Sequence, residues 1–298
     1  MVGICNSINN RNIKKKQIDM IKQFKLDNFN LSYYDIGESE DTVILLHGFP
    51  SPYFFWNPII KELLKINKRV ISVEQRGYPL SSLTNPSIND FNVENLSRDI
   101  ESLINHLNIS KNITLIAHDW GTIVGWAILQ RSLVHIDQLI SVCGGTEFPS
   151  SDVYSKLRFG NSPHYITSFQ DPLNISHLVD DKIDIFIRSA YRDTQALSIQ
   201  EPNLSMNSIF MSENVSNSVL DKSVLDNYLN HFKNSSLFQP ICWYSNIDKN
   251  IDLSNTWRKE VNTPVTFIFG KIDYTVQLND KMINRLKSSG SNILIHEV

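Results

Sequence analysis

Asp119 stands where an apolar run breaks. Residues 113–117 (Ile-Thr-Leu-Ile-Ala) suit a buried strand, His118-Asp119-Trp120-Gly121 turns abruptly, and an apolar stretch of helix length follows. The small residues Ala117 and Gly121, two places to either side, let strand and helix approach closely enough to close the turn. A carboxylate at the apex of such a strand–turn–helix is presented as a nucleophile. The same Asp could instead cap the following helix by accepting from its first amides.

Two other strand ends carry groups that would serve such a carboxylate, since ligands in open α/β sheets bind at the carboxyl ends of the strands. Phe49 lies in His47-Gly48-Phe49-Pro50, a tight glycine-containing turn after the run Thr42–Leu46. Its backbone N–H and that of Trp120 could face one pocket and form an oxyanion hole. Asp273 follows Phe269-Gly270-Lys271-Ile272, just past another strand, where it could orient a histidine or be an ordinary turn residue.

The elements that must position these groups alternate. Strands are predicted over Asn30–Tyr34, Thr42–Leu46, Arg69–Glu74, Ile113–Ala117, Ile136–Val142, Thr263–Phe269 and Asn292–Val298. Helices are predicted over Tyr53–Ile66, Asn92–Leu107 (Val93, Leu96, Ile100, Leu103, Ile104 and Leu107 at helical spacing), the stretch after Asp119, and Asn279–Lys287. That rhythm implies an α/β fold with a doubly wound, mostly parallel sheet. It breaks near Gly144, and residues 148–252 read as a helical insertion. The expected division is a leader over 1–27, helical from Lys16 to Phe24, a first core part over 28–147, a helical cap over 148–252 and a second core part over 253–298.

With 298 residues, 41% of them hydrophobic, and a net charge of −3, the chain can bury a sizeable core and has no basic excess for nucleic acid. No apolar run reaches the length of a membrane span. Three cysteines imply no disulfide framework, and the polar, basic amino terminus has no signal core, so a cytoplasmic location is expected.

His-Gly-Phe-Pro, Gln75-Arg76-Gly77, Ala117-His118-Asp119-Trp120-Gly121 and Phe269-Gly270-Lys271-Ile272-Asp273-Tyr274-Thr275-Val276, in this order, resemble the α/β-hydrolase superfamily. The Asp at the elbow narrows the resemblance to its epoxide hydrolase and haloalkane dehalogenase branch, over residue 30 to the end. Tyr165-Ile-Thr-Ser-Phe169-Gln170 and Trp243-Tyr244-Ser-Asn246 resemble the two cap motifs of epoxide hydrolases. The resemblance implies Tyr165 and Tyr244 as paired phenols donating to an epoxide oxygen, an acid that an alkoxide leaving group needs. It further implies an ester on Asp119, hydrolysed by water that a His–Asp273 pair activates, with no metal or cofactor. The substrate would be a small apolar or aromatic epoxide in a pocket lined by Phe49, Trp120, Tyr165 and Tyr244, with His47 and His118 supporting from behind. The tyrosines could alternatively be amphipathic packing at the cap boundary.

The dehalogenase alternative would use the Trp120 indole to hold halide and Glu147 in place of Asp273, but leaves the two tyrosines without a role. A non-catalytic ligand receptor is a third possibility on this fold. The resemblance also places the triad histidine about 28 residues after Asp273, whereas 25 residues follow it. The expectation is therefore a chain truncated before that histidine, able to form the ester and slow to hydrolyse it.

Overall fold

Runs of β-branched residues and leucine, short and without polar alternation, make the middle of one sheet. A computed structural model describes residues 21–146, 149–192, 203–212, 218–271 and 280–298. The strands are β1 (Ile21–Lys25), β2 (Asn30–Ile36), β3 (Thr42–Leu46), β4 (Arg69–Glu74), β5 (Ile113–His118), β6 (Gln138–Val142), the two-residue β7 (Arg158–Phe159) and β8 (Ser162–Pro163), β9 (Val265–Phe269) and β10 (Ile293–Glu297). All but β7 and β8, which pair with each other, lie in one sheet of order β1-β2-β4-β3-β5-β6-β9-β10. β1 and β2 run antiparallel to their neighbours and the remaining strands are parallel. β3 is buried along its whole length, each Val, Ile or Leu there contributing roughly 1.5–3 kcal/mol.

Register brings the turns together. Leu46 pairs with Val73 and with Ala117, and Ala117 pairs with Ser141. The turns after β3, β5 and β6 therefore start from one row across the sheet.

The helices are α1 (Asn57–Lys65), α2 (Val93–His106), α3 (Trp120–Arg131), then α4 (Ser151–Ser155), α5 (Tyr165–Ser168), α6 (Pro172–Val179), α7 (Ile183–Ala190), α8 (Met206–Ile209), α9 (Lys222–Phe232), α10 (Phe238–Ser245) and α11 (Ile247–Ser254) of the cap, and α12 (Asp280–Ser288). The side chain of Asn92 caps α2 by accepting from the N–H of Asn95 at 3.0 Å. α3 is apolar on all sides and buried from Trp120 to Leu129, as a helix between sheet and neighbouring helix must be. The cap is tied down through α10. The Gln239 side chain accepts from Leu83 N at 2.8 Å and donates to Leu83 O at 3.1 Å, and Trp243 Nε1 donates to Arg76 O at 3.1 Å.

Two expectations need correcting. Residues 21–25, assigned to a leader and to the end of a helix, form the edge strand β1 instead. Pairing with β2, an ion pair from Lys22 to Asp35 at 2.8 Å and Phe24 stacked on His106 at 4.3 Å hold it there, and none of these is visible in local spacing. The helix expected over Tyr53–Ile66 opens as a 3-10 turn, Tyr53–Trp56, and becomes α-helical only from Asn57, where Pro58 occupies the first turn. Residues 1–20 lie outside the described residues, and no helix among the described residues is long and apolar enough to cross a membrane.

Candidate active site

Asp119 has φ +53° and ψ −124°, a conformation that costs a non-glycine residue about 1–3 kcal/mol and persists only where its surroundings fix it. They do. Its N–H donates to Val142 O at 3.1 Å, and its carbonyl accepts from Thr122 N at 2.9 Å and Thr122 Oγ1 at 2.7 Å. The carboxylate makes no capping bond to α3. It accepts instead from the N–H of Phe49, at 2.8 Å to Oδ1. Two glycines make room for this. A β-carbon on Gly48 would overlap the Asp119 carboxylate, and one on Gly121 would overlap the carbonyls of Leu46 and His47.

The turn carrying Phe49 is braced from beneath by His47, which is fully buried. Its Nε2 accepts from Gln75 N at 3.0 Å and its Nδ1 donates to Gly48 O at 3.0 Å, a pattern that requires the neutral ring. Burial pushes its pKa down to about 4, in keeping with that. Tyr78 donates its hydroxyl to the same Gly48 carbonyl at 2.9 Å. His118, expected to support from behind, stacks on Phe55, ring centroids 5.1 Å apart, and is among the residues that line the cavity with Asp119.

Two tyrosines share a cavity with the carboxylate. Tyr165 opens α5 and Tyr244 lies near the end of α10, with ring centroids 6.2 Å apart. Together with Asp119 and Phe49 they line a cavity of about 200 Å³. The spacing from Tyr165 to Gln170 has a structural reason: the Gln170 amide donates to Ile166 O at 3.1 Å and to Tyr244 O at 2.9 Å, fixing α5 to α10. Burial, with the charge of Asp119 next, raises the Tyr244 phenol well above its ordinary pKa, so it stays a protonated donor. The Trp120 indole is fully buried and stands against Tyr244 at 5.1 Å and Trp243 at 5.8 Å. It supports Tyr244 from behind and is not on the cavity wall, where it was expected.

Asp273 and Glu147 lie outside the described residues. His296 is exposed on β10, paired in register with Ile268. Six cavity residues were not assigned to the site from the sequence: Ser51, Cys143, Ala190, Tyr191, Ile209 and Phe210. Ser51 and Cys143 had a signal, since each follows directly on a strand-end turn of the parallel sheet. Tyr191, in the cap, had none.

A family model described as alpha/beta hydrolase fold matches residues 41–288. Epoxide hydrolase 2 of Caenorhabditis elegans is 33% identical over 152 residues, covering 50% of this chain and 42% of the relative. The bifunctional epoxide hydrolase 2 of Sus scrofa is 26% identical over 230 residues, covering 74% of this chain and 40% of the relative. The chain thus spans about two fifths of the length of these two relatives. Epoxide hydrolase A of Mycobacterium tuberculosis is 25% identical over 247 residues, covering 78% of this chain and 75% of its own. Among solved structures, a variant of a Vigna radiata epoxide hydrolase superimposes with a TM-score of 0.78 at 21% identity, covering 94% of this chain and 92% of its own. An epoxide hydrolase from an endophytic Streptomyces does so with a TM-score of 0.79 at 18% identity, covering 93% of this chain and 88% of its own. Both structural likenesses concern the fold.

Proposed function

The chain belongs to the alpha/beta hydrolase fold family, and we propose that it is an epoxide hydrolase working through a covalent ester on Asp119. The observation that carries this is that Asp119, Tyr165 and Tyr244 line one cavity. An Asp119 oxygen attacks an epoxide carbon, the carbon–oxygen bond breaks, and a phenol proton passes to the departing oxygen. The product is a hydroxyalkyl ester. Water, activated by the histidine that the family resemblance would pair with Asp273, would then add to the ester carbonyl carbon. The backbone N–H groups of Phe49 and Trp120 hold the oxyanion, and a vicinal diol leaves as the carboxylate and the phenol are restored.

The known relatives named as epoxide hydrolases support the same chemistry, as does the matching of cap motifs to α5 and α10. Halide release is less well supported. The Trp120 indole packs against Tyr244 and Trp243, ring centroids 5.1 and 5.8 Å apart, and does not line the cavity in which a dehalogenase would hold a leaving halide. A core over 28–147 and 253–298, extended back to β1, with a cap over 148–252, is the division that goes with this function.

Incubation with styrene oxide followed by intact-protein and peptide mass spectrometry tests the proposal. One equivalent of adduct on the peptide containing Asp119, absent in Asp119→Ala, is expected, and diol release measures the second step. No adduct on a chain shown by circular dichroism to be folded would overturn it.

A further inference from the structure

The Asp119 cavity has a second polar group. Ser51 Oγ and the Tyr191 hydroxyl are 2.6 Å apart, and both residues line the cavity that Asp119, Tyr165 and Tyr244 share. The backbone that carries each hydroxyl is held in place. Ser51 is buried and its N–H donates to Gly48 O at 3.0 Å, within the turn that presents Phe49. The Tyr191 N–H donates to Ile187 O at 3.1 Å, and its carbonyl accepts from Val219 N at 2.8 Å and Ser218 Oγ at 3.2 Å. The buried Tyr228, its ring 5.0 Å from that of Tyr191, interacts with both hydroxyls; even three hydroxyls in a chain use only two of their three protons, leaving one O–H donor and spare lone pairs for a further group.

We propose that the Ser51–Tyr191 pair is an uncharged hydrogen-bonding subsite that selects neutral epoxides carrying a carbonyl or hydroxyl oxygen a few bonds from the ring. The inference rests on the epoxide reading of Asp119 and names its substrate class. Charge sets the word neutral. Among the described residues lining the cavity there is no Lys or Arg, and Asp119 is itself a carboxylate, so an anionic tail would be buried without a counter-charge. Geometry sets the reach. Ser51 follows Phe49, whose N–H holds Asp119, by two residues, at most about 7 Å of backbone, and the turn shortens that path. Volume sets the size: about 200 Å³ is below the range of about 300–1,000 Å³ that drug-sized ligands occupy. A short, neutral, oxygen-bearing epoxide fits all three limits.

Stoichiometric alkylation of Asp119 reads this without needing turnover. The rate of adduct formation is measured by intact mass with two probes, the methyl ester of a terminally epoxidised hexenoic acid and terminal epoxyoctane. The ester is expected to react about 3- to 10-fold faster at concentrations below saturation, the worth of one net hydrogen bond. That preference should narrow in Ser51→Ala and in Tyr191→Phe and vanish in the double variant. A ratio of two rates on one sample cancels any general loss of fold or nucleophile. Equal rates in the unaltered chain, or a preference unchanged in both single variants, would overturn the subsite alone. Adduct from neither probe would overturn the epoxide reading together with it.

Discussion

The N–H of Phe49 donates to Asp119 Oδ1 across 2.8 Å, joining the turn after β3 to the turn after β5, which are 70 residues apart in sequence. The carboxylate thus rests on a donor that would later hold the oxyanion of its own ester. Gly48 makes the contact possible, because a β-carbon there would occupy the space of the Asp119 side chain. Gly48→Ala should therefore push the carboxylate out of position while β3 and β5 still form. Adduct formation with styrene oxide is expected to fall at least about a hundredfold, comparable to losing an oxyanion donor. An unaltered far-ultraviolet circular dichroism spectrum would separate this from unfolding.

Tyr165 and Tyr244 share one proton-donating task from two helices. Replacing either by Phe leaves the other donor, so each single variant should slow alkylation by about 10- to 100-fold and the double variant by about 10²–10⁴-fold. The pH profile carries a further sign. Because burial and then the Asp119 charge raise the Tyr244 phenol, its proton is retained as pH rises past the ordinary tyrosine value of 10.0. The alkylation rate should accordingly stay level into the alkaline range until the protein unfolds. A decline beginning near pH 9 would count against a buried phenol as the acid.

Cap and core are also joined through a contact between a carboxylate and a histidine. Glu74, fully buried at the end of β4, has Oε1 2.5 Å from Nε2 of His231 on α9, and its Oε2 accepts from Tyr53 N at 2.9 Å. Burial alone would raise the Glu74 pKa, but the charge and hydrogen bond of His231, then His47 and the Tyr53 N–H, outweigh it and hold the value below the ordinary 4.5. A depressed folded pKa stabilises the fold above the unfolded value, and that stabilisation is lost as pH falls through the folded one. His231→Ala leaves the carboxylate buried without its partner and should cost about 3–5 kcal/mol. The melting temperature at neutral pH should drop by roughly 10 °C. In Glu74→Gln the acid-induced fall in melting temperature should be shallower than in the unaltered chain.

The parts of the candidate site that could be read from sequence are those whose cause is local. β3 and β5 are mainly apolar runs, each followed by a turn that small residues help to close, so the places of Asp119 and of Phe49 could be read from the residues around them. What the sequence hid depends on pairing across long separations. Ser51 and Tyr191 meet from 140 residues apart, and β1 is a strand only because β2 lies beside it. Trp120 shows a subtler limit. Its type suggested a pocket wall, but as the first residue of α3 its ring is directed beneath Tyr244 and against Trp243.

His164 holds Tyr165 by two means. Its ring stacks on the Tyr165 ring with centroids 4.7 Å apart, and its Nδ1 accepts from Ile166 N at 3.1 Å, capping α5. An accepting Nδ1 requires an unprotonated ring, and burial pushes the His164 pKa down to about 4. The cap is therefore intact at neutral pH. Its stabilisation is complete above the ordinary histidine value of 6.5 and lost as pH falls through about 4. His164→Ala removes both the stack and the cap and should slow alkylation of Asp119 about tenfold, roughly what one misplaced donor costs. His164→Asn, whose side chain can accept the same amide, should recover part of that loss and remove the acid limb that His164 contributes near pH 4. A merely space-filling histidine would give the opposite order, with a rate for the Asn variant no better than that for Ala and an acid limb unchanged in both.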